Sequence, residues 1–221
     1  MATLGKTLLS RETSLSIKMA ERSGFSLDVP AFGRSRSTLS IRATGGADAG
    51  RITAEVSNRL GSIQVVFSAR TGQRPFPQGS YTVRISAKPR GSGNAETVTL
   101  LGTPDLTVSD AARHKLDRIA RLVGSFRMRN ELLEIAKEGP AMLLRPLELA
   151  HIQAQWFVGS SILFNDKPSK WKVIWKCGLQ ALLCVLSSLA ATSGVGIAAA
   201  LVACALLGTN CGELIGEYID P

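Results

Sequence analysis

Between residues 13 and 108 apolar and polar positions alternate in short blocks. SLSIKM, FSLDV, STLSIRA, ITAEVS, SIQVVFSA, YTVRISA and ETVTLLG follow this pattern, the period of a strand with one face buried. The segments between them (RSG, PAFGR, TGGADAG, NRLG, RTGQRPFPQG and KPRGSGN) are rich in glycine and proline, residues that set turn geometry. β-Branched residues dominate the blocks and disfavour helix. Seven short strands joined by such turns predict an antiparallel β-sandwich within residues 1–108. No cysteine falls in this part to staple it.

The period changes after Thr107. Ser109 or Asp110 can cap a helix running AARHKLDRIARLV, with a weak point at Gly124 and a continuation as SFRMRNELLEIAKEG. Leu116, Ile119, Leu122 and Val123 recur at helical spacing, as do Leu132, Leu133 and Ile135. Arg113, Lys115, Arg118, Arg121, Arg127 and Arg129 fill the other side. A basic amphipathic helix lies on a membrane or partner, or packs on the sheet, which is the expectation here. Gly139-Pro140 ends it. AMLLRPLELAHIQAQWFVGSSILF is a second apolar helical stretch, interrupted at Pro146, and NDKPSK is a polar linker. Residues 109–166 thus read as a helical extension, and residues 167–221 as a third unit.

That third unit is uncharged from Cys177 to Gly212 and holds all four cysteines. Cys177 and Cys184 are mirrored by Cys211 and Cys204 about Gly194, in the helix-breaking cluster TSGVG. The pattern predicts an apolar helical hairpin with arms near 172–191 and 195–218. Seven helical residues rise about 10.5 Å, whereas a disulfide needs Cα atoms within about 7 Å. Cys177–Cys184 and Cys204–Cys211 pairs are thereby excluded while both arms are helical. Nested pairs, Cys177 with Cys211 and Cys184 with Cys204, face each other across such a hairpin. The competing reading is four reduced thiols packed as small apolar residues. Zinc is not expected, because no histidine lies in the hairpin.

Gly208, Gly212 and Gly216 extend the small-residue line from Cys204 and allow close helix approach, within the hairpin or between copies. Trp171 and Trp175 stand one helical turn apart beside Lys172 and Lys176. Amphipathic aromatics among lysines suit a membrane–water interface, and two tryptophans at this spacing suit the cap of a domain core equally well. Each arm offers about 15–19 uncharged residues against about 17–25 for a single membrane pass.

Composition sharpens this picture. The chain has 221 residues, a net charge of +9, 45% hydrophobic and 19% charged residues, within the globular range. The positive excess lies wholly before residue 173, since residues 173–221 carry one lysine against three acids. That asymmetry suits a chain meeting an anionic surface. No secretory signal is legible near residue 1. His114 and His151 are the only histidines, and no HExxH, GxSxG or phosphate-loop pattern occurs. No catalytic residue, cofactor, metal or small-molecule substrate is therefore expected. Nucleic acid is not an expected partner either, because arginines are not concentrated in a tail. The expected partner is a lipid membrane, with the protein secreted or membrane-associated.

Cys177-Gly178-Leu179, Cys184, the run Val195–Leu207, Cys204 and Cys211 together resemble the C-terminal segment of peptide bacteriocin precursors, of the sporulation-delaying-protein or halocin C8-like type. The resemblance covers about 45 residues; the cysteine count differs from both families. It implies a precursor whose C-terminal part, once cleaved, disrupts target membranes, while the N-terminal part serves processing, export or self-protection. The alternative is a non-enzymatic β-sandwich interaction protein whose hairpin is a membrane anchor or a helical core.

Overall fold

The structure, a computed structural model, describes residues 16–20, 24–45, 49–70, 81–102, 108–135, 137 and 181–207. The seven alternating blocks are seven strands. They are β1 (Ser16–Ala20), β2 (Gly24–Phe32), β3 (Ser37–Gly45), β4 (Ala49–Ser57), β5 (Gly61–Arg70), β6 (Tyr81–Pro89) and β7 (Glu96–Gly102). Each pairs antiparallel with the next, in chain order from β1 to β7.

Register turns the sequence alternation into two faces. Ile41, Ala54, Val65, Ile85 and Val98 are successive cross-strand partners and all are buried. Leu39, Val56, Ile63 and Ala87 form the neighbouring buried row. On the opposite face Ser40, Glu55, Gln64, Ser86 and Thr97 line up, with Ser86 and Thr97 hydroxyls 3.1 Å apart. Rows of this kind are the unit of sheet stabilisation.

Antiparallel pairing matches the expectation, and the mixed α+β class holds. The expected sandwich needs correction: among the described residues the strands form one sheet, not two facing ones. Alternation reports that one face is buried. It carries no information about what does the burying.

Helix α1 (Asp110–Ser125) packs against β6 and β7. Ser109 is its cap, accepting from the Ala112 amide at 3.3 Å, a contact that satisfies one orphan donor of the first turn. Leu116, Ile119, Ala120 and Val123 are buried while Arg113, Lys115, Arg118 and Arg121 face water. The apolar stripe thus does what its spacing indicated. Gly124 stays within the helix. α1 ends one residue later, where the Phe126 amide donates to Leu122 O at 2.9 Å.

Arg127 then takes a left-handed φ of 58° and the chain re-enters helix as α2 (129–135). Met128, Leu132 and Ile135 are buried. The α1–α2 corner sits on the tips of two β-hairpins. A Cβ on Gly61 would lie 2.5 Å from the Phe126 ring, so the close approach requires glycine there. Among the described residues two further helices follow, α3 (181–188) and α4 (Gly194–Leu207). Buried side chains from Val29 in β2 to Leu201 in α4 make one continuous core. Among the described residues no helix is long and apolar enough to cross a membrane.

Candidate functional site: the crosslinked helices on α1

The sequence of α3 ends in two serines that fold back on it. Ser187 and Ser188 hydroxyls donate to Cys184 O at 2.7 and 2.8 Å, the local back-bonding by which serine competes with the helix ladder. Beyond them Ala190 and Ala191 amides donate to Ser187 O and Ser188 O. These three-residue steps tighten the last turn. Ser193 then opens α4, accepting from the Gly196 amide at its hydroxyl (3.1 Å) and from the Ile197 amide at its carbonyl (2.9 Å).

The reversal at 189–193 brings Cys184 and Cys204 together in a disulfide with Cα atoms 5.9 Å apart across twenty residues. This is the inner of the two pairs expected from the mirror pattern. The Ser188 hydroxyl stands 3.6 Å from Cys204 Sγ on the same rung. Cys177 and Cys211 lie outside the described residues.

Among the described residues, a carboxylate of α1 ties the tip of this unit to the rest of the protein. Asp117, on α1, accepts from the Gly194 amide at 2.5 Å. The amide belongs to the first turn of α4, where a negative charge meets the positive end of the helix dipole. A Cβ at Gly194 would fall 2.6 Å from Arg113 O and 2.7 Å from Asp117. Only glycine permits this contact. The TSGVG cluster was expected to bend the chain; the structure adds that the first of its two glycines, Gly194, is also the docking point.

Two surfaces result. Leu182, Leu183, Val185, Leu186 and Leu189, with Ile197, Ala198 and Leu201, are buried in the common core. On the far side of α4, Val195, Ala199, Val202 and Ala203 are exposed, and Val195 is 64% accessible. GVGIAAALVACALL contains no charged residue, so the water-facing side of this helix is as apolar as its buried side. Such a helix normally belongs in a core, an interface or a lipid phase.

A basic surface adjoins the tip. His114, Asp117, Arg118 and Arg121 of α1 line one cleft with Thr192 and Ser193. Arg118 also meets Glu96 of β7 at 2.9 Å, and that hydrogen bond and charge raise the guanidinium pKa further. His114 is exposed. His151, Trp171, Lys172, Trp175, Lys176, Gly208, Gly212 and Gly216 lie outside the described residues. Sequence reasoning missed Asp117 altogether: nothing in ARHKLDRIA distinguishes it from a solvated acid. Gly194 was legible as a bend, because glycine clusters break helices.

No family model, curated protein or solved structure matches this chain.

Proposed function

We propose that the C-terminal part of the chain is a membrane-active, bacteriocin-like segment that the β domain and α1 hold folded until it is released. The single observation behind this reading is the exposed apolar row of α4, Val195, Ala199, Val202 and Ala203, on a helix crosslinked to a second apolar helix. A disulfide limits the freedom of the freed segment, so it can leave the core without losing its shape. In this reading the hairpin extends over residues 167–221, with Cys177–Cys211 as a second rung. Trp171 and Trp175 sit at the headgroup level, and Lys172 and Lys176 pair with anionic lipid. The apolar faces enter the acyl region, and Gly208, Gly212 and Gly216 bring copies together.

Dye release from anionic vesicles tests this directly. An oxidised peptide of residues 167–221 is expected to release dye at micromolar concentration (about 1–10 μM, where surface-active helices partition measurably), and the intact chain far less. No release by the peptide contradicts the reading.

A second reading has its own support. Leu182, Leu186, Leu189, Ile197 and Leu201 share one core with α1 and the sheet, as in an interaction protein whose hairpin is permanent. Cell fractionation separates the two. A permanent unit stays full length, whereas a precursor yields a small C-terminal fragment.

A further inference from the structure

We propose that the end of the sheet bearing the β2–β3, β4–β5 and β6–β7 turns docks on an anionic phospholipid surface, with Leu60 at the headgroup level and basic side chains around it. This surface belongs to the folded N-terminal part and does not depend on release of the C-terminal segment.

Topology assembles it. In a sheet whose strands follow chain order, alternate turns fall at the same end. Register places three there, since Thr38 pairs with Ser57, Ser57 with Ser62, and Gly61 with Pro89. Neighbouring strands lie about 4.8 Å apart, so successive turns at this end stand roughly 10 Å from one another. The α1–α2 corner joins them: the Ser35 hydroxyl donates to Arg127 O, and Asn58 Nδ2 to Phe126 O, each at 2.9 Å.

The charge gathered here has one sign. Arg34, Arg36, Arg59, Lys88, Arg90 and Arg127 are all exposed, and none forms an ion pair among the described residues. Segments 33–37, 58–61, 88–95 and 126–130 contain no acidic residue, and Glu131 beside them is buried. No single segment holds more than two basic residues; folding brings them to one surface. Basic clusters of this size bind acidic lipid, each residue strengthening the attraction about fivefold.

Leu60 selects lipid over other polyanions. It is 36% exposed and lines one cleft with Arg34, Arg59 and Arg127. Both of its backbone groups are satisfied within the protein. The amide donates to Asn58 Oδ1 at 2.8 Å, and the carbonyl accepts from the Arg90 amide at 3.0 Å. Such a residue can enter a poorly hydrated layer without stranding a donor or an acceptor. Leu133, 45% exposed, stands one helical turn from Asn130, which lines the same cleft, and offers a second apolar contact. The phosphates of a nucleic acid would meet the same arginines but give the leucines no role. Apolar side chains among basic ones suit the interface of an acidic membrane.

Sedimentation of the full-length protein with phosphatidylcholine vesicles, with and without about 30% phosphatidylglycerol, tests the assignment. The protein is expected to pellet with the anionic vesicles alone, and less as salt rises from about 0.1 to 0.5 M. Arg34→Ala with Arg59→Ala should weaken binding about twentyfold, and Leu60→Ser about fivefold. These positions are exposed, and an unchanged thermal midpoint checks that each variant folds; Lys88→Ala with Arg90→Ala replaces the first pair should it not. Vesicle affinity retained by the arginine pair overturns the proposal. So does wild-type affinity in Leu60→Ser, whether the contact then moves to the α4 row, seen as loss in Val195→Asp, or to nucleic acid, seen as duplex DNA binding that needs the arginines and not Leu60. Vesicle binding by the intact chain is read apart from dye release by the freed segment, so the two readings fail separately.

Discussion

Asn58 joins the sheet to the helices through one side chain. Its Oδ1 accepts from the Leu60 and Gly61 amides at 2.8 and 3.2 Å, shaping the β4–β5 turn, and its Nδ2 donates to Phe126 O at 2.9 Å. Asn58→Ala should cost about 1 kcal/mol, the net worth of part-buried hydrogen bonds, read as a lower urea midpoint. Gly33→Ala faces both a left-handed φ and the Glu131 side chain. It should destabilise by at least about 1 kcal/mol, where an alanine at the open, merely left-handed Gly91 should cost less. Half of this was legible. NRLG reads as a turn because asparagine and glycine mark turns, but the bond to Phe126 spans 68 residues, beyond any local pattern. Glu131 left a fainter trace: its spacing from Met128 and Ile135 places it on the buried stripe, where a carboxylate signals a partner.

At the level of elements, the strands and α1 were readable because their signals are local: alternation, a change of period and a capping serine. What covers the apolar face of the sheet was not, since it depends on contacts between distant segments; hence one sheet under helices in place of a sandwich. The inner disulfide was readable because a fixed helical rise restricts which cysteines can meet. Replacing Cys184 and Cys204 together by serine should cost about 3 kcal/mol, as expected for opening a loop of this size, and thermal unfolding with and without reductant measures it. Val195→Asp and Ala199→Asp place charge on the exposed row of α4. Each should change stability by no more than about 0.5 kcal/mol, yet both should suppress dye release by the oxidised 167–221 peptide. Unchanged release would show that this row is not the lipid-facing surface.

Across the molecule, the common core creates a tension with release. In the proposed reading, Leu182, Leu186, Ile197 and Leu201 would have to leave the core they share with α1 and the sheet before meeting lipid, and Asp117 would have to give up the Gly194 amide. Asp117→Ala should therefore loosen the α3–α4 unit before the sheet, seen as faster hydrogen exchange in 181–207 with strand exchange unchanged. The charge asymmetry of the chain fits the proposed division between a basic holder and a C-terminal segment whose stretch from Cys177 to Gly212 is uncharged. Nothing local in the sequence predicts that the two share a core. The decisive measurement is the intact mass, under non-reducing conditions, of the protein recovered from the cells that make it and from their medium. The account predicts a C-terminal fragment beginning after the sheet and α1, with Cys184 and Cys204 still oxidised. Full-length chain alone, in every fraction, would contradict it.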